Sequence, residues 1–153
     1  MKTIKVYVII LVSAAAIAMT ATCGSSGGGS NNNACTASGT CSVNVTGTWS
    51  TTEQVSASAC GSAHTDYNSY TVSQTGCNVV VSASGAGPFN GSVNGSQICW
   101  TGSYSQNGGT TTITSLNLTV DASGTSFQGT SHWTWSDGNT SCSGTTQVYG
   151  TKN

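Results

Sequence analysis

Two histidines, four carboxylates, four tryptophans and seven cysteines are the side chains of this 153-residue chain with the most chemistry to offer. His64-Thr65-Asp66, with His132 far off in sequence, is the one grouping that could act as a metal or acid–base site. The surrounding sequence reads as a polar loop, and His132 is out of phase with Trp133, so these residues are expected to be exposed and inert. No G-x-S-x-G, H-E-x-x-H or phosphate-binding glycine motif occurs. A carboxylate pair for glycoside hydrolysis would have to come from Glu53, Asp66, Asp121 and Asp137 alone. The sequence therefore predicts no enzyme, no metal and no cofactor.

The aromatic residues are a better prospect. By strand parity Trp100 shares a face with Tyr104, and Trp133 with Trp135. Facing inward, they would form an aromatic pocket for a small apolar ligand. Facing outward, they would form a platform for sugar rings or a protein partner. In a domain poor in Leu, Ile, Val and Phe they are equally suited to plain core packing, because aromatic rings then supply the burial.

The cysteines divide into one and six. Lys2 and Lys5 precede a mostly apolar run over 6–18, the layout of a signal peptide, too short to span a bilayer. Ala16-Ile17-Ala18 fits ordinary signal-peptidase cleavage. The stretch ending Thr20-Ala21-Thr22-Cys23 resembles a bacterial lipoprotein processing site, with threonines where an aliphatic and a small residue are usual. That resemblance implies a diacylglyceryl group on Cys23, a signal peptide over 1–22 and a flexible Gly/Ser/Asn tether over 23–34. Lipidation of Cys23 also explains the odd cysteine count. The remaining Cys35, Cys41, Cys60, Cys77, Cys99 and Cys142 suffice for three disulfides in an oxidising compartment. No C-x-x-C occurs, which argues against a zinc ribbon or redox pair.

Charge narrows the partners. After the signal segment there is no Arg and one Lys, Lys152, so phosphate neutralisation cannot drive nucleic-acid binding. No polybasic patch is available either, and lipid alone would hold the protein to a membrane. Low net charge and regular alternation predict a folded domain over 35–153.

The elements that position these residues are strands. Helix formers are scarce, and short alternating runs separated by turn residues predict eight strands, near 42–50, 69–75, 77–83, 89–94, 97–105, 110–121, 125–135 and 140–150. A polar loop holding Cys60 and His64 separates the first two. Asn94-Gly95, Asn107-Gly108 and Asp137-Gly138 signal tight hairpins. The apolar phase slips between Ile113 and Leu116, which predicts a bulge. Val79-Val80-Val81 suggests a strand covered on both faces. Short connections make this an all-β antiparallel meander, closing into an eight-stranded barrel, with a two-sheet β-sandwich as the alternative. Closure would make the first and last strands neighbours and predicts a Cys41–Cys142 bridge between them.

Gly47-Thr48-Trp49 on the first strand, followed by a meander of this length, resembles the lipocalin/calycin group. That group's first strand carries Gly-x-Trp, and the resemblance implies that Trp49 closes the barrel floor. The group's late-strand Arg and C-terminal helix have no counterpart in this sequence. The expectation is a monomeric, lipid-anchored protein of the bacterial cell envelope that binds a small apolar ligand, a glycan or a protein, possession of inhibitor-like activity included. The alternatives are a secreted protein and a structural envelope protein without a pocket.

Overall fold

A computed structural model describes residues 40–83 and 85–153, together with the backbone of Thr22–Cys23 and Cys35–Thr36. The expected signal peptide and most of the tether lie outside the described residues, and of Cys23 only the backbone is described. Eight strands carry the domain: β1 (Gly47–Val55), β2 (His64–Thr75), β3 (Asn78–Ala83), β4 (Ala86–Asn94), β5 (Gln97–Gln106), β6 (Gly109–Val120), β7 (Ser126–Ser136) and β8 (Ser141–Lys152). Each pairs antiparallel with the next, and β8 pairs with β1 from Thr146↔Val55 to Lys152↔Trp49, so the barrel is closed. Closure leaves no strand of the barrel with an unpaired edge. No helix among the described residues is long and apolar enough to cross a membrane.

Turn chemistry sets the register. Gln106 pairs with Gly109 around Asn107 (φ 50°) and Gly108 (φ 76°), a two-residue turn with both centres left-handed, as Asn-Gly predicts. At Asn94-Gly95 the turn is displaced by one residue. Asn94 pairs with Gln97, and Gly95 (φ 58°) is the first central residue, a Gly-x turn in which Asn94 belongs to the strand. The expected slip in β6 is present as a register shift between Ile113 and Ser115 against β7.

The first strand lies five residues later than its alternation suggests. Thr51, Glu53 and Val55 continue the inward phase of Trp49, and all are buried. The second strand begins at His64, so His64 and Asp66 sit on β2 and not in a loop. Val80 is 38% exposed between buried Val79 and Val81, so β3 is covered on its inner face only. Both ends of the barrel are stapled, but not as expected. Cys41 bonds Cys77 and Cys60 bonds Cys142, with Cα–Cα distances of 5.4 and 5.7 Å. Cys41 precedes β1 and lies beside Gly95, at the opposite end of the barrel from Cys142. The Cys41–Cys142 bridge therefore does not form, although the strand closure it presupposed does.

Cys99 is disulfide-bonded as well. It points outward from β5, yet it and its cross-strand neighbour Ser92 on β4 are only 7% and 0% exposed. The antiparallel backbone pair of Thr22–Cys23 with Cys35–Thr36 lies against these two strands and covers them there.

The main core fills the floor and middle of the barrel, with Trp49, Val45, Val93, Ile98, Leu118 and Phe127 among its members. A smaller cluster of Val55, Cys60, Trp133 and Trp135 packs at the other end. Strand glycines make room for rings. Gly150 lies under Phe127 and Gly144 under Trp133, each opposite its aromatic partner in the ladder, and a Cβ at either position would collide with the ring.

Candidate functional site

The floor is dry. Trp49 is fully buried, stacks on Phe127 at 4.7 Å and donates its indole N–H to the Val45 carbonyl at 2.9 Å. Lys152 reaches over the same ring, 5.7 Å from its centroid.

The upper half of the interior differs. Strand pairing sets Glu53 opposite Asp66, Thr51 opposite Asn68 and Val55 opposite His64. Alternation then turns Thr51, Glu53, His64, Asp66, Asn68 and Tyr70 into the barrel. Together with Trp100 and Tyr104 of β5, Thr111 of β6, Ser131 and Trp133 of β7 and Thr146 of β8, several of them border a cavity of about 60 Å³. That volume holds a few waters or a small chemical group. It is far below the roughly 300–1,000 Å³ of a pocket that encloses a whole drug-sized ligand.

Glu53 is 7% exposed and accepts a hydrogen bond from the Tyr70 hydroxyl at Oε1. Burial pushes its carboxyl above the ordinary range. The Tyr70 hydrogen bond and the nearby Asn68 amide oppose that shift, and the nearby Asp66 adds to it. Burial likewise raises Asp66, against the pull of His64. The His64 Nε2 to Asp66 Oδ2 distance is 3.3 Å, an ion-pair distance without hydrogen-bond alignment, so both atoms are buried with no hydrogen-bond partner. Thr51 Oγ1 and Asn68 Nδ2 are in the same condition. Asn68 and Thr51 are close enough to bias Glu53 and Tyr70, but neither of these two atoms makes an aligned bond. Tyr104 is pushed up to about 12, first by burial, with Glu53 contributing in the same direction. Tyr70 moves well above its usual value, again chiefly through burial and then through Glu53. An unpaired buried polar atom costs about 1–3 kcal/mol, which applies here to Thr51 Oγ1 and Asn68 Nδ2, since His64 and Asp66 face each other at ion-pair distance.

Of the aromatic candidates, Trp100, Tyr104 and Trp133 border this cavity and Trp135 does not. Trp135 is buried beside the Cys60–Cys142 bridge and donates its N–H to the Gln106 carbonyl at 3.0 Å. Trp133 donates to Thr146 Oγ1 at 3.0 Å. Trp100 meets Tyr70 edge to face at 5.9 Å. Since all four candidates point inward, they form no outer platform; among the described residues the exposed aromatics are Tyr67 and Tyr149. His132 lies on the outer surface, apart from His64. Among the described residues no group of three His, Cys, Asp or Glu is arranged to hold a metal ion.

Glu53, Tyr70, Thr111, Ser131 and Thr146 were not singled out by the sequence reading. Glu53 was within reach, because counting by twos from Trp49 places it inward. Its charge and the flanking threonines disguise that parity as a loop. No protein-family model matches the chain, and no curated protein or solved structure matches it either.

Proposed function

We propose that the chain is an exported binding module of the bacterial cell envelope, anchored by lipid at Cys23, which holds a small ligand or ligand head group in the upper half of its barrel. The observation that carries this reading is the pair of facing carboxyl groups, buried Glu53 on β1 and Asp66 on β2, bordering a cavity otherwise lined largely by aromatic and aliphatic side chains. A barrel built only for durability gains nothing from burying Glu53, because desolvating a carboxylate without a countercharge destabilises the fold. The disulfides at Cys41, Cys60, Cys77, Cys99 and Cys142 favour an oxidising, extracytoplasmic setting. The likeness of Gly47-Thr48-Trp49 to the lipocalin first strand, and the eight-stranded closure, support a barrel whose interior is the site. A cavity of this size accommodates no long apolar chain, so the ligand class shifts from lipid-like towards small and polar. No catalytic role is assigned to any residue.

The rival reading, a structural envelope protein without a ligand, draws on the small volume and the well-packed floor. Native mass spectrometry of protein extracted from membranes separates the two. The binding reading expects a small molecule to leave with the barrel, and expects Ser131→Phe, which fills the cavity, to lose it. An empty barrel whose Trp fluorescence answers to no added small molecule supports the structural protein. The intact mass in the same experiment tests the anchor. A diacylglyceryl-bearing chain beginning at Cys23 is expected, and a soluble chain beginning at Met19 removes the lipid from the proposal.

A further inference from the structure

The domain is almost without permanent positive charge, and the one cation it has is in the wrong place to serve its buried acids. Lys152 is the only Lys or Arg after the signal segment. Its Nζ lies 3.4 Å from the Asn44 carbonyl and over the Trp49 ring, at the floor. Glu53 and Asp66 face each other at the other end, with His64 the only basic group among the inward-facing side chains there. His64 lies on Asp66, leaving Glu53 with neutral donors alone. Thr51, 3% exposed, turns an unpartnered hydroxyl into the same interior two residues from Glu53.

From this arrangement we infer that the chamber takes a small organic cation, a primary or methylated ammonium group on a few carbons. This rests on the binding-module reading and names its ligand class. An ammonium supplies the countercharge that Glu53 lacks and adds to the one His64 offers Asp66, and it donates hydrogen bonds to these two carboxyl groups, both of which line the chamber. Tyr70, Trp100, Tyr104 and Trp133 provide ring faces and apolar edges for the attached carbons, the pairing of aromatic surface with carboxylate that suits alkylammonium ions. A bare divalent metal ion suits the chamber less well. Calcium and magnesium require six or more oxygen ligands in a tight shell, and much of this lining is ring and aliphatic carbon.

The test titrates the full-length mature protein, in detergent at pH 7.5, with propylammonium chloride, tetramethylammonium chloride, the neutral isostere 1-propanol, and calcium chloride. Trp fluorescence and thermal midpoint are followed. Saturable binding of at least one ammonium salt is expected, with 1-propanol at least tenfold weaker. Glu53→Gln and Asp66→Asn, which keep shape and remove charge, should each weaken the ammonium at least tenfold. If Glu53→Gln fails to fold by circular dichroism, Asp66→Asn, nearer the rim, carries the comparison. Equal binding of 1-propanol, or unchanged ammonium affinity in the charge-removing variant, overturns the cation assignment and leaves the binding module standing. Binding of calcium alone replaces the organic cation with a metal. If no probe is bound, the cation and the small-ligand reading fall together.

Discussion

The two ends of this barrel are built from the same strands yet obey opposite rules. At the floor, inward positions are Trp49, Val72, Val79, Val93, Ile98, Leu118, Val120 and Phe127, and the Trp49 indole N–H is satisfied by its own chain. Towards the other end of the same strands the inward positions become Glu53, Asp66, Tyr104, Thr111, Ser131 and Thr146. Each end carries a disulfide, Cys41–Cys77 at the floor and Cys60–Cys142 at the top, so neither depends on strand closure alone. The difference teaches where stability and chemistry reside. Apolar burial at about 25 cal/mol per Å² is concentrated at one end, and that surplus allows the other to bury polar groups that would not be retained for packing.

The comparison breaks most readily at Trp49. Trp49→Ala removes a fully buried ring from the closed end and is expected to cost about 3–5 kcal/mol by denaturant titration. Trp133→Ala should cost less, because that ring already borders a cavity and has fewer packing partners to lose. Equal costs would mean that the top is packed as tightly as the floor. Next in size are the staples, each expected at about 2–4 kcal/mol when both cysteines are replaced by Ala. Cys60–Cys142 spans 82 residues and Cys41–Cys77 spans 36, so chain entropy makes the upper bridge the larger contributor. A larger loss from the Cys41–Cys77 variant would show that native-state packing at the floor, and not loop closure, sets the ranking.

The same contrast decides what could be read from the sequence. The floor was legible, since Trp49, Ile98, Leu118 and Phe127 alternate with polar residues and announce their faces. Asn107-Gly108 and the slip at Ile113 announced a turn and a bulge through backbone requirements that few residues meet. The upper end was illegible for the reason that makes it interesting. Once the inward residues are Thr, Glu, Asp and Asn, hydrophobic periodicity vanishes, and 51–55 and 64–68 look like loop. The disulfides failed for a different reason. Cys41 lies before the strand it was assigned to and Cys60 in the connecting loop, and a pairing between segments outside the ladder follows from the three-dimensional path alone.

The smallest effect expected is the most diagnostic of the upper end. Burial holds the Glu53 carboxyl above its ordinary value of 4.5, so the folded protein binds that proton more tightly than the unfolded chain does. The resulting stability is fully present below the ordinary carboxyl range and is lost as pH rises through the raised folded value. Gln at this position stays neutral throughout. Glu53→Gln should therefore match the parent near pH 4 and be more stable than it at pH 8. Asp121, at the floor end, provides the opposite sign. Its exposed carboxylate accepts from the Thr125 and Ser126 amides at 2.8 and 2.9 Å and from the Ser123 hydroxyl, which holds it well below the usual range. Asp121→Asn should be less stable than the parent at pH 7 and converge with it only in strong acid. Denaturant titrations of both variants across pH 3–8 check the pair. If Glu53→Gln loses stability at pH 8, the Tyr70 hydrogen bond outweighs desolvation, and the carboxylate at the top is a structural fixture like the one at the floor.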